Sequence, residues 1–216
     1  SYNSGIAWSG QGSWDFGYGN ISDTNKKVSA SLTNAYNFTY FTESLKNKTK
    51  KDVSNPSLFP NQTVGKMNDL NTIDVIYTYS GQSVYTLDSS FTGNRNPGQT
   101  DVTIFLISGS LDIPNDFSLS LTDKDMVVFI VNGNIYVGVT VREIPGLYIS
   151  SLTFSVASGP GQFTLDGMVY ASTLSFNRTY HSFTLPAYEF IYQPQYAVAL
   201  LPYLGRNEVN WQEVGP

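Results

Sequence analysis

Hydrophobic and polar residues recur in the same order at two places in the middle of the chain. Residues 105–113 read FLISGSLDI and residues 129–137 read FIVNGNIYV. In each segment apolar positions alternate with polar ones, which predicts two short strands that bury one face. The Ser/Asn-Gly-Ser/Asn centre predicts a bend between the strands, because Gly and Asn adopt positive φ angles at little cost.

Related units precede and follow this pair. Residues 77–81 (YTYSG) resemble residues 105–109 (FLISG). Residues 147–154 (LYISSLTF) and 169–176 (VYASTLSF) form a second pair that lacks the central Gly. The five units therefore begin at positions 77, 105, 129, 147 and 169, which is one irregular series. Spacings of roughly 20 residues are typical of successive coils of a parallel β-helix.

We therefore predict an all-β fold whose central part, residues 73–184, is a short parallel β-helix or solenoid. The general preference for right-handed crossovers predicts a right-handed coil. The alternative is an antiparallel β-sandwich or barrel in which S-G-S and N-G-N form hairpin turns, because Asn-Gly is a strong hairpin signal. Repetition of the whole nine-residue pattern favours the solenoid, since hairpins in a sandwich have no reason to repeat their core residues.

Residues 1–25 are rich in Gly and aromatic side chains and show no helical period, which predicts an extended arm. The large aromatic residues of this arm, Trp8, Trp14, Phe16 and Tyr18, need a surface to pack against. The arm either adds a strand or cap to its own chain or is donated to a neighbouring subunit by β-augmentation. These four residues are the candidate subunit contacts.

Two further segments flank the repeats. Residues 26–72 are predicted to be a cap or loop region with a short amphipathic helix over 33–46. Residues 185–216 are predicted to be a C-terminal cap, with a short helix over 195–204. Such a cap would cover the open end of the solenoid, because exposed strand edges invite aggregation.

Charge and composition narrow the class of protein. The net charge is -5, only 13% of residues are charged, and the 15 Tyr and 13 Phe suit a strand-rich extracellular protein. A nucleic-acid partner is excluded because phosphate binding needs a basic face. The one basic cluster is predicted to be a solvated loop and comprises Lys46, Lys48, Lys50 and Lys51.

The sequence contains no membrane-spanning segment, no leader pattern and no cysteine. No apolar run approaches the length of a membrane-spanning helix and no charged-then-apolar leader opens the chain, so neither membrane insertion nor a signal peptide is predicted within it. A start at Ser1 suggests a processed product. The absence of Cys excludes disulfides, thiolate metal sites and a cysteine nucleophile.

The second half of the chain resembles a known group of proteins. The segments FIVNGNIYVG, GLYIS, PAYEFIYQPQYAVALLPYL and the closing WQEVGP are similar to the C-terminal region of large cell-surface proteins of candidate-phylum bacteria. Those proteins are uncharacterised, and some are encoded beside pilin-like genes. The resemblance covers residues 75–216 and is most specific at the C-terminal end of that range. It implies a location at the cell surface rather than an activity.

The sequence offers little chemistry. The one histidine, His181, has no Ser or Cys nucleophile motif beside it and is predicted to be a surface or packing residue. The acids are scattered rather than clustered as a carbohydrate-active β-helix enzyme requires: Asp101, Asp112, Asp116, Asp123, Asp125 and Asp166. Asp123 and Asp125 could offer oxygen ligands to calcium, but two acids around a Lys predict a solvated turn.

No nucleotide-binding or metal-ligand motif is present, so no catalytic residue, cofactor or metal ligand is predicted. The N-x-S/T motif occurs about as often as chance predicts. The candidate glycosylation sites are Asn20, Asn37, Asn47, Asn61 and Asn177.

The leading functional hypothesis is a non-enzymatic structural protein, a subunit of an extracellular filament, sheath or surface layer whose partners are copies of itself. The alternative is a glycan-binding adhesin module whose aromatic residues stack on sugars. The third hypothesis is a carbohydrate-active enzyme.

Overall fold

The part of the protein that the structure describes is a parallel β-solenoid with two short helices. The computed structural model describes residues 37–53, 62–66, 70, 75–91, 102–119, 125–178 and 186–204. Every strand pairing within these ranges is parallel. The predicted all-β solenoid is therefore confirmed, and the alternative of an antiparallel sandwich is wrong.

The strands form two adjoining stacks. The first stack runs through β1 (Lys51–Asp52), β3 (Ile76–Tyr79), β5 (Val102–Ile107) and β7 (Met126–Val131). The second runs through β2 (Gln62–Val64), β4 (Val84–Leu87), β6 (Ser110–Ile113) and β8 (Ile135–Val137). The long strands β9 (Glu143–Val156) and β10 (Phe163–Phe176) continue both stacks, and β11 (Tyr188–Tyr192) pairs with the start of β10.

The repeat predicted from the sequence sets the register of the central turns. Tyr77 pairs with Phe105 and Phe105 with Phe129, as the matched patterns require. The sequence match aligns the next unit with Phe129 one residue too early in the chain. Tyr148, rather than Leu147, pairs with Phe129 on one side and with Val169 on the other. The correction matters because a one-residue shift exchanges the two faces of a strand.

The glycines at the bends serve a different purpose from the one predicted. Gly109 and Gly133 do not adopt positive φ, unlike Gly81 at φ 93° in the preceding bend. They are required because consecutive bends stack closely. A Cβ on Gly133 would lie 2.9 Å from the Gly109 carbonyl oxygen, and one on Gly109 would lie 2.7 Å from the Ser83 carbonyl oxygen.

Polar side chains link consecutive bends. The amide Nδ2 of Asn132 donates to the Ser108 carbonyl at 3.4 Å, and the Asn134 N–H donates to Ser110 Oγ at 3.1 Å. On the next turn the Thr153 N–H donates to Asn134 Oδ1 at 3.1 Å. The Ser/Asn positions of the repeat therefore satisfy backbone groups that the bends leave out of the strand ladders.

The interior contains a ladder of aromatic rings. Tyr77, Phe105, Phe129 and Tyr148 are all fully buried at equivalent positions on four successive turns. The ring centroids of Phe129 and Tyr148 are 5.4 Å apart with an interplanar angle of 11°. Beside this ladder, the second stack contributes aliphatic residues together with Tyr85 and Phe154 to the same core.

A second apolar layer lies outside the first stack. In β5 and β7 the residues between the core positions are also buried, among them Ile104, Leu106, Val128 and Ile130. The helices α1 (Phe38–Ser44) and α2 (Gln195–Leu204) cover this outer surface. Continuous apolar strands of this kind are typical of parallel sheets buried on both faces.

The N-terminal flank differs in part from its prediction. The predicted helix over 33–46 is present as α1, which begins after Asn37, whose side chain caps it by accepting the Tyr40 N–H at 2.9 Å. The solenoid starts before residue 73, because β1 pairs with β3 and β2 with β4. Lys51 lies in β1 and not in the predicted solvated loop, whereas Lys46 and Lys48 are exposed.

The C-terminal flank also differs from its prediction. The helix predicted over 195–204 is confirmed as α2. However, α2 packs against the outer side of the first stack through Tyr196 and Leu200, rather than over the end of the solenoid. Within the described residues 186–204, β11 adds one more strand to the end of the solenoid.

Candidate functional site

The C-terminal end of the solenoid leaves core-facing aromatic side chains exposed. In the register of β10 and β11, Phe163 pairs with Tyr188 and Leu165 with Phe190, and both β10 residues face the interior core. Side chains paired in register lie on the same side of a sheet, so Tyr188, Phe190 and Tyr192 face the core side as well. Phe190 is nevertheless 43% exposed and Tyr192 64% exposed.

The other side of β11 is apolar too, because Ile191 is 43% exposed. Among the described residues, β11 pairs only with β10, so its outer edge carries no strand there. An edge strand with exposed apolar side chains is a template for pairing with another segment of chain. We call Phe190, Ile191 and Tyr192 the terminal edge.

Arg178 stabilises the turn behind the terminal edge. Its guanidinium donates hydrogen bonds to the carbonyls of Gly138 and Val139, both at 3.2 Å, and to that of Val141. The side chain also lies 5.8 Å from the Phe163 ring centroid. Burial lowers the pKa of Arg178, although the residue keeps its charge because guanidinium pKa values are so high. This cation binds backbone and is not available to a substrate.

A row of polar side chains follows the outer surface of the second stack. Five residues pair in register along consecutive strands there: Thr86, Asp112, Tyr136, Ser155 and Ser175. Their neighbours in each strand face the interior core. Tyr136 is the one aromatic residue of the row and is 44% exposed.

A groove of about 290 Å³ lies beside Tyr136. Its walls include Asp112, Pro114, Tyr136, Val139 and Ala157. Partial burial raises the pKa of Asp112 above its usual value. No hydrogen bond or ion pair joins the Asp112 carboxylate to any other residue that the structure describes, so its oxygens are available to a ligand.

A second groove, of about 310 Å³, lies between α1 and the bends of the first stack. Phe38, Thr42, Lys50 and Leu106 contribute to its walls. Thr78, Ser80 and Ser108 also line it, and Lys50 is the single charged residue among the described residues there. The surface that these residues expose to the groove is mostly carbon. It lacks the convergent polar groups that orient a small ligand.

Of the acids predicted to be scattered, the four that the structure describes have different surroundings: Asp112, Asp116, Asp125 and Asp166. Asp116 accepts the backbone N–H groups of Arg142 and Glu143, the latter at 3.0 Å, and Asp166 accepts a hydrogen bond from Gln193 Nε2 at 2.6 Å. Asp125 is buried immediately before β7, so the predicted solvated turn is wrong for this residue. No group of three or more potential metal ligands occurs in the described ranges.

Several predicted residues fall outside the described ranges: Trp8, Trp14, Phe16, Tyr18, Asn20, Asn61, Asp101, Asp123 and His181. Of the other candidate glycosylation sites, Asn37 is half-buried at the start of α1, whereas Asn47 and Asn177 are exposed. Sequence reasoning missed Tyr136 and the terminal edge. The signal for Tyr136 is its place in FIVNGNIYV, where an aromatic residue occupies an outward position.

No helix within the described residues is both long and apolar enough to cross a membrane. The sequence matches no protein-family model, no curated protein and no solved structure, so the chain is assigned to a β-solenoid architecture and to no family.

Proposed function

We propose that the protein is a non-enzymatic structural subunit of an extracellular filament, sheath or surface layer. The observation that carries this proposal is the terminal edge, where core-facing aromatic side chains of β11 remain exposed. A solenoid can be extended by any segment that adds a further strand, because each turn contacts only its neighbours. A second copy of the chain is therefore the natural partner for this end.

The N-terminal arm is the proposed joint. Residues 1–25 contain the apolar side chains that a β11 edge would bury, including Trp8, Trp14, Phe16 and Tyr18. In β-augmentation, main-chain hydrogen bonds supply affinity and alternate side chains fill pockets. The arm of one subunit would pair with the edge of the next, which makes a head-to-tail contact. Contacts of this kind that do not close into a ring generate filaments.

The rigidity expected of a structural subunit also supports the proposal. The interior aromatic ladder, the stacked bends and the two helices over the first stack bury the central strands on both sides. The low proportion of charged residues and the abundance of Tyr and Phe suit an extracellular surface. Localisation can be tested directly by labelling intact cells with an antibody against the chain.

Assembly can be tested by mass photometry and electron microscopy of the purified chain. Deletion of residues 1–25 should leave a folded monomer. Tyr192→Lys, which places a charge on the terminal edge, should also prevent assembly. Leu201→Lys is the matched control, because Leu201 is 62% exposed on α2, away from that edge.

Repeating fibres or sheets that are lost in the deletion and in Tyr192→Lys, but kept in Leu201→Lys, would support the proposal. Unchanged assembly after the deletion would refute the arm as the joint. Dispersed monomers of the unaltered chain at high concentration, together with their absence from native fibres, would refute the structural role.

A further inference from the structure

The polar row on the second stack contains three adjacent side chains that make no polar interaction within the described part of the fold. Asp112, Tyr136 and Ser155 pair in register across β6, β8 and β9. In the part of the chain that the structure describes, none of the three side chains makes a hydrogen bond or ion pair. Partial burial removes some of the hydration of the Asp112 carboxylate and gives it no protein partner in return, so this group does not stabilise the fold.

We propose that Asp112, Tyr136 and Ser155 form a binding site for a sugar ring of a neutral glycan. The site lies on the lateral surface of the solenoid and does not depend on assembly through the terminal edge. The proposed assembly contacts involve the terminal edge and the N-terminal arm, so the outer surface of the second stack remains free to bind a neutral glycan.

The spacing of the three residues suits a small ring-shaped ligand. Neighbouring strands are about 4.8 Å apart, so the row from Asp112 to Ser155 spans roughly 10 Å. The groove beside it, about 290 Å³, lies at the lower end of the volumes found for small-ligand sites. Its walls combine apolar residues, such as Pro114 and Val139, with few polar groups, as ligand sites generally do.

Tyr136 supplies the stacking surface. Sugar rings carry one face of C–H groups, which pack against an aromatic plane and bury apolar area while their hydroxyls remain at the rim. The ring of Tyr136 is half-exposed at the centre of the row, within reach of a ligand from solvent. The strand beneath it is held rigidly, because Ile135 and Val137 on either side are buried in the core.

Hydrogen bonds that orient the ring come from Asp112, which lines the groove, and from Ser155, which pairs with Tyr136 in the row but does not itself line the groove. A carboxylate accepts from two hydroxyls of a sugar, and such charge-assisted bonds are stronger than neutral ones. Its partial burial keeps competing water away, in agreement with the raised pKa of Asp112. The Ser155 hydroxyl both donates and accepts, so it can bind a hydroxyl in either orientation.

The charge of the site selects the class of ligand. Asp112 is the one charged residue among those that line the groove, which disfavours anionic sugars. An organic cation would be attracted to Asp112, but such ligands are held by cages of several aromatic rings. Among the described residues a single ring, that of Tyr136, lines this groove, which favours a neutral sugar.

The test is an array of neutral oligosaccharides of glucose, mannose, galactose and N-acetylglucosamine, followed by calorimetry with the best ligand. Oligogalacturonate and choline serve as anionic and cationic comparators. We expect a neutral oligosaccharide to bind. Tyr136→Ala should weaken binding by about tenfold or more, Tyr136→Phe should keep it within about threefold, and Asp112→Asn should weaken it several-fold.

Leu201→Ala is the matched control, because Leu201 is 62% exposed on α2 and belongs neither to the groove nor to the terminal edge. It should bind the glycan as the unaltered chain does. Circular dichroism of each variant checks folding. Failure of every neutral glycan to bind, equal binding by Tyr136→Ala, or retention of choline or oligogalacturonate alone would each overturn the proposal. The two proposals fail separately: a chain that binds glycan but stays monomeric at high concentration and is absent from native fibres would refute the structural role alone, and a chain that assembles but binds no glycan would refute this site alone.

Discussion

Phe105 and Phe129 occupy equivalent positions on consecutive turns, and their rings stack with centroids 5.1 Å apart and an interplanar angle of 19°. Phe129 stacks in the same way on Tyr148 of the next turn. Phe129 is therefore in the middle of the aromatic ladder and contacts a ring on each side. It also packs against Phe91 and Phe117, which approach from the return segments between turns.

Substitution of Phe129 should be among the most destabilising single changes. Phe129→Ala should lower the free energy of unfolding by about 3–5 kcal/mol, because it removes both stacking contacts and leaves a cavity. Phe129→Leu, which retains more of the volume, should cost about 1–2 kcal/mol. Urea denaturation measures both values. Leu152→Ala is the control, because Leu152 is exposed and should change stability by under about 0.5 kcal/mol.

The sequence predicts the solenoid because its turns repeat both the side-chain pattern and the bend. Phe105 and Phe129 begin identical patterns, and a strand register follows directly from such a match. The apolar pattern alone places the next turn one position out of register, because it matches Leu147 to Phe129 as another apolar residue. An aromatic-to-aromatic match, Tyr148 to Phe129, gives the observed pairing.

The two outer helices are predicted from the sequence, but their packing on the first stack and the terminal edge could not be predicted in the same way. Ile104 and Leu106 are buried by α1 and α2, which come from opposite ends of the chain. Such contacts are set by tertiary packing, and no local period indicates them. The continuous apolar run of β5 is a signal that both of its faces are covered. For Tyr136, the sequence predicts an outward position but not the groove beside it.

Close stacking of the bends predicts that no side chain is tolerated at Gly133. Its Cβ would lie 2.9 Å from the Gly109 carbonyl oxygen and from the Ser110 nitrogen, both of them backbone atoms. Gly133→Ala should therefore lower the free energy of unfolding by about 1–3 kcal/mol. Asn132→Ala is a control in the same bend and should cost only about 0.5 kcal/mol, because it removes one exposed hydrogen bond of 3.4 Å to the Ser108 carbonyl. Equal stabilities of the two variants would contradict the stacking argument.

Two adjacent leucines in α2 test how much the outer layer contributes. Leu200 is 4% exposed and packs on the outer side of the first stack, whereas Leu201 is 62% exposed. Leu200→Ala should lower the free energy of unfolding by about 2–4 kcal/mol. Leu201→Ala should have little effect, because its side chain is exposed. Both changes alter helix propensity equally, so the difference in the free energy of unfolding between the two variants reports the burial of Leu200. A similar small effect for Leu200→Ala would mean that α2 contributes little to the stability of the solenoid.

Arg178 should stabilise the turn after β8 through its three carbonyl partners. Arg178→Ala would remove the hydrogen bonds to Gly138, Val139 and Val141, and should lower the free energy of unfolding by about 2–4 kcal/mol. Arg178→Lys should recover only part of this, because one ammonium cannot reach three carbonyls in the planar geometry of guanidinium. Arg142→Ala is the control at an exposed arginine. Thermal unfolding separates the three variants.

The raised pKa of Asp112 predicts a specific dependence of stability on pH. Burial raises its pKa in the folded protein above the ordinary value of 3.8, so the folded state binds this proton more readily than the unfolded state does. The charged carboxylate therefore destabilises the fold at neutral pH, and this penalty disappears as the pH falls below 3.8. Asp112→Asn should raise the melting temperature at about pH 7 and leave it unchanged at about pH 3.

Glu143→Gln is the control for this experiment, because it removes one negative charge from an exposed position. Any general relief of the net charge of -5 appears equally in both variants, so the excess in Asp112→Asn reports the buried carboxylate. A lower melting temperature for Asp112→Asn at neutral pH would mean that Asp112 stabilises the fold. In that case the Asp112 carboxylate has a structural partner. The glycan proposal then loses the argument that this carboxylate is free to bind a ligand. If Asp112→Asn is instead more stable and no longer binds the oligosaccharide, the same carboxylate both destabilises the fold and binds the ligand.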